Sequence, residues 1–328
     1  MVFITGSTGL VGGHLLVQLF KRGEKIKALK KSMSSLRELK IICEHYGIEF
    51  TEIYAKVEWI TGDILDKTSF SSALKDIKTI YHCAAIVSFG NCAPGILQQI
   101  NIEGTRNITE LALEYGIPCF AFVSSIGALG QSKTSETITE ETPWNQNNDA
   151  SVYSNSKYLS EQVVWEAAKK GLNVVIVNPG VILGAGDFTK GSLTFFSTVR
   201  KGMSFYTHQQ TGYVDVRDVC RAMLYLVDNK IYNERFILVS ENLTNRQLFT
   251  LIACALGRKP PFIPVGQNGL KLAAWLEKRL CRRTGKAPLL TPEIILSATK
   301  TDTYSSDKFI RTTGLEFVPM KKCIEEAI

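Results

Sequence analysis

Tyr153 and Lys157 are the residues whose types and spacing point most directly to chemistry. They lie four positions apart in a stretch with helical periodicity, residues 150–170, so both side chains fall on one helix face. A nearby ammonium favours phenolate over phenol, and we therefore expect Lys157 to lower the pKa of Tyr153 toward neutrality. A tyrosine tuned in this way can act as a general acid or base. Such a pair also arises by coincidence on helix surfaces, so its meaning depends on the rest of the chain.

Small and polar residues follow several of the apolar runs that we predict to be parallel strands. Ser124 and Ser125 follow the run 120–123, and Ala84 and Ala85 follow the run 79–82. The proline-fixed turn Pro179-Gly180-Val181 follows the run 174–177. Ligands of open α/β sheets bind at the carboxyl ends of the strands. We therefore expect these residues to line a ligand site, with the alanines passing close to a flat ligand.

A glycine turn joins the first strand, residues 2–4, to an amphipathic helix that continues through residues 14–20. Glycines at spacing three allow a tight turn, a close approach to a ligand, and close packing of the helix on the strand. The free N–H groups of the helix then face an anion, typically a dinucleotide pyrophosphate. A glycine-rich turn without a ligand is the alternative reading. The predicted cofactor contacts in this turn are Gly6, Thr8, Gly9, Leu10, Val11 and Gly12.

The end of the second predicted strand, residues 25–29, distinguishes the two nicotinamide cofactors. An acidic residue there would bind the ribose of NAD, whereas this chain has Lys30 and Lys31. Two cations suit a 2′-phosphate, so we predict NADP(H), with NAD(H) left open and two solvated lysines as the alternative. Asp63, after the third strand, could accept a hydrogen bond from adenine or cap a helix. Ile64 beside it is a further predicted contact.

The order of periodic segments predicts the fold. Strand-like runs alternate with helical ones at 34–46, 95–114 and 150–170, the second interrupted at 101–105. This alternation indicates an α/β doubly wound parallel sheet of Rossmann type, with helices on both faces. We assign residues 1–180 to this domain, with 213–240 returning to it through a helix opening at 213. Residues 181–212 and 241–328 would form a smaller C-terminal α/β substrate lobe, and 128–150 a loop over the active site.

Composition limits the classes of function. The 328 residues are 45% hydrophobic and 21% charged, with a formal net charge of +7 that is too small to argue for nucleic acid. No apolar run approaches the roughly 20 residues of a membrane span, and no signal peptide is evident. Trp275 with its basic neighbours suggests a membrane-surface helix or an ordinary solvated helix face. The eight cysteines lack metal-ligand spacing, so we expect no metal, buried thiols and a cytoplasmic location.

These residues together resemble the extended short-chain dehydrogenase/reductase family, of NAD(P)-dependent epimerase/dehydratase type. Its glycine motif T-G-x-x-G-x-x-G is supplied by Thr5, Gly6, Gly9 and Gly12. The resemblance implies a catalytic Ser-Tyr-Lys set, a helix-kinking residue that anchors a water, an adenine contact and a turn at the nicotinamide. The corresponding residues are Ser125, Tyr153, Lys157, Asn101, Asp63, His82-Cys83-Ala84-Ala85 and Pro179-Gly180-Val181.

The resemblance also narrows the reaction. Sugar-nucleotide dehydratases of this family carry an Asp-Glu pair after the catalytic Ser/Thr, whereas Ile126 and Gly127 follow Ser125 here. The chain looks more like the dihydroflavonol-4-reductase-like and hydroxysteroid-dehydrogenase-like branch, which implies carbonyl reduction or secondary-alcohol oxidation on a small-molecule substrate. Tyr153 would then protonate the alkoxide, Ser125 would bind the carbonyl oxygen, and Lys157 would hold the ribose.

Two other functions remain as alternatives. One is an NAD-dependent nucleotide-sugar epimerase, which keeps its cofactor and returns the hydride to the same substrate. The other is a dinucleotide-sensing protein that has the fold without the chemistry. The resemblance also leaves a homodimer open.

Overall fold

A seven-stranded parallel sheet forms the centre of the molecule in the computed structural model. The structure describes residues 1–87, 94–130, 137–144, 151–284, 295, 298 and 300–328. Within these ranges the strands of this sheet are β1 Val2–Thr5, β2 Ile26–Lys30, β3 Glu58–Thr61, β4 Thr79–His82, β5 Cys119–Val123, β6 Asn173–Pro179 and, numbered after three strands outside it, β10 Glu234–Leu238. Most are apolar and buried, as expected for strands covered on both faces.

The strand order creates a crevice at one edge. The order is β3-β2-β1-β4-β5-β6-β10, so it reverses between β1 and β4. A dinucleotide fold binds its ligand at this switch point, outside the carboxyl ends of the strands. The predicted doubly wound parallel sheet is confirmed. The strand β10 was not predicted, and it extends the sheet beyond β6.

Helices cover both faces of the sheet. Among the described residues they are α1 Leu10–Lys21, α2 Arg37–His45, α3 Phe50–Lys56, α4 Pro94–Gln98, α5 Gly104–Glu114, α6 Val152–Lys169, α7 Thr194–Arg200, α8 Val216–Asp228, α9 Asn245–Ala255, α10 Gln267–Thr284, α11 Asp307–Thr313 and α12 Met320–Ala327. One apolar core lies between the sheet and α1, α2 and α8, and a second between the sheet and α5 and α6. In the parts of the chain that are described, none of the helices is both long and apolar enough to cross a membrane.

Two predicted helices differ in detail from the observed ones. The predicted helix 95–114 is interrupted by a π-helical turn, Gln99–Glu103, at the place where the sequence indicated a break. The predicted helix opening at 213 is wrong, because residues 213–215 belong to strand β9, Gln210–Asp215. The reason is pairing, since β9 lies between β7 Val181–Leu183 and β11 Glu241–Thr244.

A smaller apolar core lies around α7, α9, α12 and the sheet β11-β9-β7. A two-stranded sheet, β8 Phe205–Tyr206 with β12 Ile263–Pro264, lies beside it. The assignment of 1–180 with 213–240, and of 181–212 with 241–328, remains a prediction. The predicted loop 128–150 is described only in part, because 131–136 and 145–150 lie outside the described residues.

The cysteines do not all behave as buried apolar residues. All six with described side chains are free thiols, and Cys43, Cys119, Cys220 and Cys323 are buried. Cys254, however, is exposed, so the expectation of burial is wrong there. Among the described residues, no group of three His, Cys, Asp or Glu side chains could hold a metal ion.

Candidate active site

The glycine turn between β1 and α1 is closed by contacts that exclude side chains. Gly6 adopts a φ of +70°, and a Cβ there would lie 2.6 Å from the backbone nitrogen of Ala84. A Cβ on Gly12 would lie 2.6 Å from the carbonyl carbon of Gly6. These two glycines are therefore required by the backbone itself. Gly9 is different, since a Cβ there would meet a single atom, the Gly6 oxygen at 3.4 Å.

The start of α1 suits an anion. Gly9 is the extended residue that precedes the helix, and no side chain caps the helix at this end. The first turn, which begins at Leu10 and Val11, contains no acidic residue. Backbone N–H groups of a first helical turn lack partners within the helix, and the helix dipole favours negative charge beside them. The turn therefore fits a pyrophosphate on steric and electrostatic grounds, and Thr8, which is partly buried, lies within it.

The cations after β2 are partly engaged with carboxylates. Lys31 Nζ lies 3.0 Å from Asp63 Oδ2, and the Lys31 side chain is 53% exposed. Arg37 Nε lies 3.4 Å from Asp187 Oδ2. Lys30, the last residue of β2, is partly buried. The predicted phosphate contact Lys31 and the predicted adenine contact Asp63 thus bind each other in this state.

Asp63 and Ile64 are also used locally. Asp63 Oδ1 accepts a hydrogen bond from the Leu65 N–H at 3.0 Å. This bond and the Lys31 ammonium lower the pKa of Asp63. Ile64 is buried and packs against Gly104 at the start of α5, so its side chain belongs to the core rather than to an open ligand surface.

The segment after β4 lies against the glycine turn. The backbone N–H of Ala84 donates to Thr5 Oγ1 at 3.2 Å, and Ala85 is exposed at the edge. His82 is buried between two hydroxyls, Thr5 Oγ1 at 2.6 Å and Thr105 Oγ1 at 3.0 Å. Burial lowers the pKa of His82 to about 3, so the ring is neutral and structural. Ala84 and Ala85 therefore remain the residues of this segment that a flat ligand could approach.

Ser125 and Tyr153 meet at the same edge. Ser125 follows β5, and its Oγ accepts a hydrogen bond from the Gly127 N–H at 3.0 Å. Tyr153 lies in the first turn of α6, and its hydroxyl is hydrogen-bonded to Ser125. Ser151 begins this helix by accepting a hydrogen bond from the Ser154 N–H, which fixes the turn that carries Tyr153.

The expected lowering of the Tyr153 pKa is wrong for this state. Burial raises the pKa of Tyr153, and the hydrogen bond with Ser125 offsets that rise only in part. The Lys157 ammonium, which was expected to lower it, instead donates to the Val123 carbonyl at 2.7 Å. Tyr153 is therefore a neutral phenol at neutral pH.

Lys157 is a buried lysine with few polar neighbours. Its side chain is 2% exposed, and Nζ lies 4.6 Å from the centre of the Phe122 ring. Burial lowers the pKa of Lys157 to about 8, an effect that the Glu161 carboxylate opposes. The ammonium has three N–H groups, of which the bond to Val123 uses one.

Asn101 does not hold a water through its carbonyl. That carbonyl accepts hydrogen bonds from Thr105 Oγ1 at 2.6 Å and Ser160 Oγ at 2.7 Å. The side chain is also engaged, because Oδ1 accepts from the Ile86 N–H and Nδ2 donates to Ser156 Oγ. The expectation that Asn101 anchors a water is therefore wrong here, since Ser160 on α6 occupies the carbonyl.

Ser124 faces inward rather than toward the crevice. Its hydroxyl donates to Glu161 Oε2 at 2.6 Å, and the residue is 3% exposed. Asn178, at the end of β6, donates through Nδ2 to the same carboxylate oxygen at 2.8 Å. Sequence reasoning missed Glu161, although its position four residues after Lys157 places it on the same helix face.

The turn after β6 is fixed by protein contacts. A Cβ on Gly180 would lie 2.7 Å from the carbonyl carbon of Gly212 in β9. The Gly180 N–H donates to the Leu238 carbonyl at 3.0 Å. Pro179 is buried, and Val181 begins β7. The glycine is thus required by the neighbouring strand, while the turn itself lies at the edge where β6 ends.

Comparison with known proteins agrees with this geometry. A family model for an NAD-binding domain, described as male sterility protein, matches residues 4–244. A putative dihydroflavonol 4-reductase of Synechocystis is 25% identical over 99% of this chain and 93% of its own length. Cinnamoyl-CoA reductase 1 of Oryza sativa subsp. japonica is 23% identical over 100% of this chain and 89% of its own length.

A solved structure shows the same fold at lower identity. The dTDP-glucose 4,6-dehydratase DesIV from Streptomyces venezuelae, with NAD and TYD bound, has a TM-score of 0.73 and 17% identity. The match covers 99% of this chain and 96% of that one. The family match covers well over half of the chain, and the chain therefore belongs to the NAD-binding family described as male sterility protein, within the extended short-chain dehydrogenase/reductases, and is an NAD(P)-dependent oxidoreductase.

Proposed function

We propose that the protein transfers a hydride between NADP(H) and the carbonyl or secondary-alcohol carbon of a small organic substrate. The observation that carries this proposal is the hydrogen bond between the Tyr153 hydroxyl and Ser125, with Lys157 one helical turn further along α6. All three lie at the sheet edge that also holds the glycine turn. The names of the reductase relatives support the same reaction class.

Each residue has a role that its surroundings support. Tyr153 is a neutral phenol, the form that can donate a proton to an alkoxide as a carbonyl is reduced. Ser125 is placed to hydrogen-bond the same oxygen, so that developing negative charge meets fixed donors. Lys157 keeps two N–H groups beyond the one bonded to Val123, and these could hold a ribose. When bound, NADP(H) supplies or accepts the hydride.

Turnover of NADPH with a panel of small ketones and aldehydes tests the proposal. Tyr153→Phe removes only the acidic hydroxyl, so we expect turnover to fall roughly 10²–10⁴-fold. NADPH affinity, measured by calorimetry, should change less than about threefold. Tyr158→Phe is the matched control, because Tyr158 lies on the same helix but stacks on Trp144.

Three outcomes count against the proposal. Unchanged turnover in Tyr153→Phe would remove the tyrosine from the reaction. NAD retained through purification, with no net cofactor turnover, would indicate an epimerase. Tight NADPH binding with no turnover in either direction on any probe would indicate a sensing protein.

A further inference from the structure

We propose that Glu161 is a positioning residue for this reaction: it keeps Lys157 charged and holds the segment carrying Ser125 against α6. The inference rests on the proposed function, because Lys157 and Ser125 matter to turnover only if the Ser-Tyr-Lys set is used. Glu161 itself lies in the core, and nothing places it against substrate or cofactor.

The Glu161 carboxylate is buried, and donors surround it. It is 1% exposed. Oε2 accepts from Ser124 Oγ at 2.6 Å and Asn178 Nδ2 at 2.8 Å. Oε1 accepts from Arg235 Nη1 at 3.0 Å and Trp165 Nε1 at 3.3 Å. Four donors and one cation favour the ionised form, because a protonated acid would lose one acceptor site.

These bonds connect α6 to the three strands β5, β6 and β10. Ser124 directly precedes Ser125, and Asn178 Nδ2 donates to the Ser125 carbonyl at 3.1 Å as well as to Glu161. Lys157 bonds the carbonyl of Val123 just before them. Lys157 and Glu161 therefore hold three consecutive residues of one segment from adjacent turns of a single helix. A displaced carboxylate would move the Ser125 backbone.

Charge is the second part of the argument. The titratable groups that face Lys157 are Tyr153 and Glu161 from α6, and His82 and Cys83 from the end of β4. His82 is neutral, and burial raises the pKa of the Cys83 thiol, so neither balances the ammonium. Glu161 is thus the carboxylate that favours a charged Lys157 against the effect of burial, within the described residues.

Glu161→Gln tests this directly, since it removes the charge and keeps the shape. The probe is lysine labelled with carbon-13 at Cε, with the Lys157 resonance assigned by its loss in Lys157→Met. Wild-type Lys157 should titrate near pH 8. In Glu161→Gln the midpoint should fall by about 1 pH unit, within the usual effect of a nearby charge.

Turnover should follow the titration. At pH 8 the charged fraction of Lys157 would drop from about one half to about one tenth, so kcat for a probe ketone should fall about fivefold at that pH. The loss should shrink at lower pH, and KM for the ketone should stay within about twofold. Glu166→Gln is the matched control, because Glu166 lies on the same helix with a side chain that is 61% exposed.

A second variant covers a failure to fold. Glu161→Gln leaves Arg235 without its carboxylate, which is a destabilising arrangement for a largely buried cation. The double variant Glu161→Gln/Arg235→Met removes both charges and should show the same lowered midpoint. An unchanged Lys157 midpoint in whichever of these variants folds would overturn the inference.

The two proposals fail differently. If Lys157 shifts but the wild-type protein turns over no carbonyl probe, the proposed function fails and the Glu161–Lys157 coupling stands without a role in it. If Tyr153→Phe loses turnover while Glu161→Gln leaves both the midpoint and the kcat profile unchanged, the inference alone fails.

Discussion

The glycine turn offers a test that separates packing from cofactor binding. Gly12 and Gly9 lie three residues apart in the same turn but have different surroundings. A Cβ on Gly12 would meet the carbonyl carbon of Gly6 at 2.6 Å and the Cα of Ser7 at 3.0 Å. A Cβ on Gly9 would meet a single atom at 3.4 Å, which is ordinary contact. We therefore compare Gly12→Ala with Gly9→Ser.

The two substitutions should act through different free energies. Alanine is favoured over glycine within a helix by about 1 kcal/mol. Forcing a methyl into filled space costs about 1–3 kcal/mol, and here the obstructing atoms are backbone that cannot rotate away. The clash should exceed the gain in propensity, so Gly12→Ala should lower the free energy of unfolding by about 1–2 kcal/mol. The corresponding fall in Tm is roughly 2–6 °C.

Gly9→Ser should leave the fold intact and weaken cofactor binding. Serine is a good residue at the start of a helix, so the free energy of unfolding should stay within a few tenths of a kcal/mol. Its hydroxymethyl group, however, would occupy the open side of the turn and compete for the N–H groups that a pyrophosphate needs. NADPH affinity should fall at least about tenfold, or about 1.4 kcal/mol.

Thermal unfolding and calorimetric titration with NADPH measure the two effects. Gly266→Ser is the control, because nothing lies within 4 Å of a Cβ at Gly266. An unchanged Tm in Gly12→Ala would refute the packing argument. Wild-type NADPH affinity in Gly9→Ser would refute the placement of the pyrophosphate at this turn.

Two further predictions concern the cofactor and acid stability. Lys31→Ala should weaken NADPH binding about tenfold and NADH binding less than about twofold, because the 2′-phosphate is the group lost; Lys25→Ala, at the other end of β2, is the control, and equal effects on both cofactors would contradict it. Burial lowers the pKa of His14 to about 4 and of His82 to about 3, so the unfolded chain binds more protons than the folded one below pH 6.5. The free energy of unfolding should therefore fall as pH drops from 6.5 toward 4, with a limiting slope of about 2.7 kcal/mol per pH unit for the two groups. His82→Gln should halve that slope in urea titrations, and an unchanged slope would count against neutral burial of His82.

The sequence predicted the sheet well where strands are apolar on both faces. The runs near residues 2–4, 79–82 and 120–123 lie within one or two residues of β1, β4 and β5. β10 was missed because it begins with Glu234 and Arg235, whose charges hide an edge strand. The strand at 210–215 was read as a helix opening because its partners β7 and β11 are short and distant along the chain.

Side-chain roles that depend on distant neighbours were beyond the sequence. The Asn101 carbonyl accepts from Ser160, 59 residues away, and a local helix break cannot predict that partner. The Lys157 ammonium bonds Val123, 34 residues earlier, and this contact takes it from Tyr153. The residues themselves still meet at one edge, because parallel strands place their carboxyl ends together.

The rotation of α6 explains how one helix serves three purposes. Side chains four residues apart advance by about 400°, so each successive one is turned about 40° further round the helix. Tyr153 is partly buried at the crevice, Lys157 is 2% exposed, and Glu161 is 1% exposed in the core. The helix therefore carries a proton donor at the ligand edge, a cation behind it, and a carboxylate where β5, β6 and β10 can all reach it. A neutral Glu161 would break this arrangement first at Lys157, since burial already favours loss of its proton.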